Sequence, residues 1–338
     1  MEPSSSSSSS SSGVLFIHQV PQGRQEPLES DCISPDVALP EWQPTYISPD
    51  ADVVLLSSDG QKFRVHSSIM VLASGFFKGM LGLPQSRSQH NVEQTSPNAA
   101  EDETIALQER SGVLKAILDI VYPDRTFFDS GDPTFDLFRE ICFAAEKYDM
   151  PSVLQSLQLF LRATIRDHPP ILAYALACRY SWTKEAELAS TETLSHNIRT
   201  QDSMDQLKHA SMEGAMQLIR FHFTRCDLLI AALDFTDTRH TRAPLVIEWP
   251  AIQSSRCKCV KPRSHLDMSL WTVLKYHILE KMEKSPDGAF LRNREFWDHS
   301  EFNRLWDFVC DCSRTPMLDK NNLREEILRV LENLPKTI

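Results

Sequence analysis

Asp52-Val53-Val54-Leu55-Leu56-Ser57-Ser58-Asp59-Gly60-Gln61-Lys62-Phe63-Arg64-Val65-His66 reads as two strands around a tight turn. The first limb, to Ser58, is rich in β-branched and aliphatic residues. Asp59-Gly60 closes it, because a glycine supplies the positive φ that hairpin turns require. In the second limb, Gln61 to His66, Phe63 and Val65 alternate inward. Ser67 or Ser68 is then placed to cap a helix through Ile69, Met70, Leu72 and Ala73, and Gly75 is expected to end it. Phe76, Phe77, Met80 and Leu81 supply a further apolar helical turn.

Beyond this point the apolar spacing vanishes between Pro84 and Asp102, which reads as an insertion loop. Glu103-Thr104-Ile105-Ala106-Leu107 is a short alternating strand. Val113, Leu114, Ile117, Leu118 and Val121 recur at helical spacing until Tyr122-Pro123, where proline stops the helix. Two amphipathic helices follow. One carries Phe138, Ile141, Cys142, Ala145 and Tyr148; the next opens at Pro151, a favoured first-turn position, and carries Val153, Leu157, Phe160 and Leu161.

The flanks differ in kind. Residues 1–48 read as a tail, with an unbroken serine run from Ser4 to Ser12 and prolines at 21, 27, 35, 40 and 44; within it Val14 to Val20 is the one segment able to pair as a strand. From His168 on, helices are expected near 170–180, 184–197, 203–208 and 211–233. An irregular stretch to about 263 contains Val246-Ile247, the next strand-like pair, and helices follow near 267–284, 294–311 and 319–333. The expected division is 1–48 tail, 49–166 first domain, 167–235 helical extension and 236–338 C-terminal helical region. The fold class is α+β, a small mixed sheet with helical hairpins, followed by an all-α C-terminal part.

Bulk properties bound the function. The 338 residues carry a formal net charge of −11, which argues against nucleic acid or an anionic membrane as the main partner. No run of about 18 or more uncharged apolar residues suggests a membrane span. The N-terminus lacks the cationic and apolar segments of a secretory signal, so an intracellular location, cytoplasmic or nuclear, is expected, with the eight cysteines reduced.

The ordered series of motifs resembles the BTB/POZ family over about residues 50–165. The resemblance rests on Asp52-Val53-Val54-Leu55, Asp59-Gly60, Phe63, Val65-His66, Ile69, Leu72, Ser74 and Phe76-Phe77, then Ile105-Ala106-Leu107, Ile117 to Pro123 with Tyr122, and Ala144-Ala145-Glu146-Lys147-Tyr148-Asp149-Met150-Pro151. Tyr122-Pro123 and the long loop before the third strand are most similar to the fungal branch, as are His168-Pro169-Pro170 and the helical residues that follow. The resemblance implies a non-enzymatic protein–protein interaction adaptor, commonly a homodimer. It is compatible with docking to a cullin-type ubiquitin ligase or with a nuclear transcription-associated role, and the residues indicate neither. Ser67 stands where transcription-factor members usually carry a basic residue, and the insertion at 84–101 adjoins the surface that relatives offer to cullins. No basic stripe or zinc-finger spacing supports DNA binding.

Candidate chemistry is sparse. Asp52 and His66 have polar side chains at strand ends, and a structural role satisfied by backbone or by each other is the expectation; no nucleophile can be placed beside them. Phosphate-cradling glycine motifs, HExxH and GxSxG are absent, so no cofactor is expected. Cys257-Lys258-Cys259 with Cys310-Asp311-Cys312 leaves two readings open: one structural zinc on four thiolates, or unbound reduced thiols. Cys310 and Cys312 can converge only if the helix carrying them ends there. A metal-dependent enzyme on this set is a weak third reading, since four thiolates close the coordination sphere. The apolar stripe Met212, Ala215, Met216, Ile219, Phe223, Cys226, Leu229 and Ile230 is expected to pack in a core.

Overall fold

The computed structural model describes residues 41–83, 104–125, 133–234, 268–309, 314, 316 and 318–338. The expected hairpin is present. Strand β2 (Val53–Leu56) pairs antiparallel with β3 (Gln61–Val65), with Val53 opposite Val65 and Leu55 opposite Phe63. Gly60, at φ 85°, makes the turn that a Cβ-bearing residue would strain. Val53, Val54, Leu55, Phe63 and Val65 are all buried, which is why this hairpin is the centre of the sheet rather than an edge. Strand β4 (Thr104–Ala106) lies parallel on the other side of β2, giving a mixed four-stranded order β1-β3-β2-β4 among the described residues.

The first strand corrects the expected tail. Strand β1 (Glu41–Trp42) pairs parallel with β3, and the turn after it sends Tyr46 into the core at 2% exposure. The Tyr46 hydroxyl donates to Asp119 at 2.8 Å, and the Arg125 guanidinium lies 4.4 Å above its ring. Residues 41–48 therefore belong to the folded body. The prolines that flank them break regular spacing, while Tyr46 and Trp42 supply the contacts that fix them.

The helical pair also differs in one detail. Helix α1 (Ser67–Ala73) is capped by no side chain of its own flank, and Gly75 opens α2 (Gly75–Leu81) rather than closing α1. Ser74 separates them: its hydroxyl accepts the Phe77 N–H at 3.1 Å and donates to the Tyr148 carbonyl at 2.5 Å. Gly75 donates its own N–H to the Asp149 carbonyl, and the Asp149 side chain occupies the space a Cβ would need. Close approach, not a chain stop, explains the glycine.

Helices α3 (Ser111–Val121), α4 (Phe135–Lys147) and α5 (Pro151–Ala163) follow as expected, with Thr134 capping α4 and Pro151 in the first turn of α5. Val113, Leu114, Ile117, Phe138, Ile141, Val153 and Leu157 bury their stripes in one core with the sheet. That core continues into α6 (Pro170–Arg179), α7 (Thr183–Thr193) and α8 (Gln201–Leu207).

Helix α9 (Met212–Leu233) passes from this core to a second one. Leu218 and Phe221 belong to the first, Cys226, Leu229, Ala232 and Leu233 to the second. The second is completed by α10 (Met268–Lys284) and α14 (Lys320–Asn333), with Trp271, Trp297 and Phe302 buried in it. The helix expected over 294–311 is instead a chain of short turns: α11 (Ala289–Arg292), α12 (Arg294–Trp297), a 3-10 turn at Ser300–Phe302 and α13 (Asn303–Trp306). Asn293 accepts the Glu295 N–H and restarts the helix, and the Trp297 indole N–H donates to the Leu291 carbonyl. Packing Phe296, Trp297, Phe302 and Leu305 inward outweighs helical continuity. None of the helices among the described residues is long and apolar enough to cross a membrane.

Candidate interaction surface

The signature aspartates are used as remote helix caps. Asp52, just before β2, accepts both the Ser67 N–H at 2.7 Å and the Ser67 hydroxyl at 2.5 Å, at the start of α1. Asp59, in the hairpin turn, does the same for Ser111 at the start of α3, at 2.9 and 2.6 Å. Each carboxylate thus satisfies a first-turn amide and sits in the positive field of a helix N-terminus. Partial burial pushes both carboxyls up, but the serine hydroxyl and amide bonds more than reverse this and hold them below the usual carboxylate range.

His66 is also fully engaged. Its backbone N–H donates to the Tyr122 hydroxyl at 2.9 Å, its Nδ1 lies 3.1 Å from the same oxygen, and its Nε2 lies 3.3 Å from Asp50. Asp52 and His66 are satisfied by Ser67, Tyr122 and Asp50, not by each other. Among the described residues, the one hydroxyl that meets Asp52 is that of Ser67, which donates to the carboxylate at the start of α1. Phe63 and Phe77 are core residues at 0% and 1% exposure, and Tyr122 is buried beside His66.

With these polar groups consumed by architecture, the unexplained feature of this part of the chain is apolar. Leu72, on the outer face of α1, is 89% exposed; Leu83, just past α2, is 67% exposed; Phe76 is 43% exposed although its ring packs on Tyr148. The hairpin α1–α2 therefore turns one stripe into the core through Met70 and Phe77 and a second apolar set to water. Large apolar side chains turned to water in this way are surface that a partner can cover. Sequence reading placed Leu72 on a helix without assigning it a side, since seven residues carry too little periodicity. Tyr46, Asp119, Ser111 and Tyr148 were missed as structural partners because their contacts cross from 39 to 74 positions of chain.

The cysteines Cys257, Cys259, Cys310 and Cys312 lie outside the described residues. The neighbouring α13 ends at Trp306, ahead of Cys310, and Val309 pairs with Pro316. Among the described residues no cluster of three or more metal-ligating side chains occurs. Cys142, Cys178 and Cys226 are unpaired, with thiols pushed up by burial, Cys226 to about 11.

A family model for the BTB/POZ domain matches residues 48–165, a range that holds β2, β3 and β4 of the small mixed sheet and the paired helices, with β1 lying just before it. No curated protein matches the chain. Domains of this kind are in general protein–protein interaction modules.

Proposed function

We propose that this chain, in which residues 48–165 form a BTB/POZ domain, is a non-enzymatic adaptor that pairs with a second copy of itself through the α1–α2 face. Leu72 carries the reading. A leucine at 89% exposure on a folded helix, with Leu83 and Phe76 also open, is apolar surface that association would remove from water. A stable dimer would bury on the order of 1,600 Å². The non-enzymatic part rests on the side chains a catalytic reading needs: Asp52 spends its acceptors on Ser67, and both His66 nitrogens have partners.

The helical second half would then present a surface for a different protein partner. Unpaired Cys142, Cys178 and Cys226 support an intracellular setting, and Tyr122-Pro123 with the insertion at 84–101 supports kinship with the fungal branch.

Light scattering on the full chain at micromolar concentration tests self-association. The expected mass is twice 38.5 kDa, falling to 38.5 kDa for Leu72→Asp with an unchanged circular dichroism melt, since the side chain makes little contact within its own chain. A wild-type mass of 38.5 kDa at tens of micromolar overturns the reading.

A further inference from the structure

The apolar stripe of α9, expected to pack in a core, does so over only part of its length. Cys226 and Leu229 are buried and Ile230 packs against the second core, but the first turns present apolar side chains to water. Met212 is 80% exposed and Met216 51%; Phe223 is open as well, and Ile219 between them is half-buried. The helix turns Gly214, Leu218, Phe221, His222 and Arg225 inward, so these four residues lie to one side of the buried face. Arg199, paired with Glu283 at 3.0 Å, places its guanidinium 5.0 Å from the Phe223 ring and supports that ring from within the chain.

Met212, Met216, Ile219 and Phe223 fall at intervals of four, three and four residues, the spacing of a coiled-coil seam. That spacing is the same read in either direction. Turned about a two-fold axis between Gln217 and Leu218, Met212 comes level with Phe223 of a second copy, and Met216 with Ile219. Charge follows the same symmetry. Glu213 and Arg220 run along the outer border of the stripe, both exposed, and neither has an ion-pair partner among the described residues. In the antiparallel arrangement this border meets itself, and Glu213 stands opposite Arg220 of the copy, about 3 Å apart in height along the axis. A parallel pairing would instead set Arg220 beside Ala215, with no charge to meet.

We infer that α9 pairs antiparallel with α9 of a second copy, through Met212, Met216, Ile219 and Phe223, with two Glu213–Arg220 ion pairs at the border. Reciprocal contacts of this kind are what a two-fold interface requires. Flexible thioethers suit the seam, since they fill irregular gaps between facing helices. The two halves of α9 are anchored in the two cores, so the helix is presented already formed and pairing costs little ordering. Three turns of helix cover less than a standard interface, so the contact is weak, with a dissociation constant on the order of 100 µM. It is separate from the α1–α2 face, and a chain using both contacts builds tetramers or longer arrays at high concentration.

Sedimentation equilibrium of the full chain carrying Leu72→Asp isolates the α9 contact. The mass should be that of one chain at low micromolar concentration and rise toward two chains by several times the expected constant. In that background Met216→Asp should abolish the rise. Glu213→Arg and Arg220→Glu, each of which sets like charges across the axis, should weaken it at least about 10-fold. An equimolar mixture of the two single variants restores opposite charges at both borders and should associate as the parent does, and so should the chain carrying both substitutions. A variant that had merely lost its fold would not be rescued by mixing. A single-chain mass throughout the range, single charge variants that associate like the parent, or a mixture no better than its components would each overturn the inference. Loss of wild-type pairing at tens of micromolar strikes the α1–α2 reading alone, so the two fail separately.

Discussion

His222 is buried on α9 at 2% exposure, with its Nε2 2.9 Å from the Thr193 hydroxyl. That hydroxyl already donates to the Ser190 carbonyl at 2.6 Å, so it can only accept from the imidazole. The proton therefore sits on Nε2, and Nδ1 is left buried without a partner. A second proton on Nδ1 would add charge with no acceptor, close to the buried Arg225. Burial first, then the Arg225 and His196 charges, lower the imidazole from 6.5 to about 4. Because the folded value lies below the unfolded one, the unfolded chain takes up the proton first. Stability is full above about pH 6.5 and falls as pH drops toward 4, by up to about 3 kcal/mol. Urea unfolding of wild type and His222→Gln at several pH values checks this: the wild-type midpoint should fall more steeply between pH 6.5 and 4 than that of the variant. Parallel profiles would refute the assignment.

At the scale of elements, β2 organises two helices through one device used twice. Asp52 and Asp59 flank the strand, and each grips the first-turn serine of a different helix. Removing either carboxylate leaves an orphan amide and an unopposed helix field. Asp52→Ala and Asp59→Ala should each lower stability by about 1–2 kcal/mol. Since the two share no partner, the double variant should show nearly the sum. Denaturant midpoints with an unchanged slope are the measure, and a double variant no worse than either single one would show that the caps are coupled. Both aspartates were legible in the sequence as part of an ordered motif. Their partners were not, because Ser67 and Ser111 announce themselves only as ordinary helix-start residues. The same limit hid the role of Gly75, which reads as a chain stop and works as a point of contact with Asp149.

For the whole molecule, α9 is the shared beam. Its first half packs in one core and its second half in the other. Buried Arg225 holds the seam, donating to the carbonyls of Pro286 and Pro335. Asp287 donates its N–H to the Leu194 carbonyl at 3.0 Å, which ties the α10–α11 turn to the end of α7. The last residues return across α7 as well: Thr191 donates to the Lys336 carbonyl, and Thr337 to that of Glu187. A helix common to two cores couples their unfolding. Residues 41–338 should melt in one transition, with tryptophan fluorescence and far-ultraviolet circular dichroism superimposing in urea. Removing residues 335–338 should lower the single midpoint rather than split it. Two separated transitions in the wild type would show that the cores fold independently.

The hairpin, the helical pairs and the all-α second half were determined by sequence alone, because alternation and helical spacing act over a few residues and need no knowledge of neighbours. Helix breaks inside 289–306, the inclusion of Tyr46 and β1 in the folded body, and the division of α9 between two cores were decided only in three dimensions. Each depends on which distant side chains meet, and a buried aromatic or a satisfied carbonyl outweighs local propensity once those partners are in place. The outward-facing Leu72 belongs to this second class, since exposure is a property of the assembled surface and of no single segment.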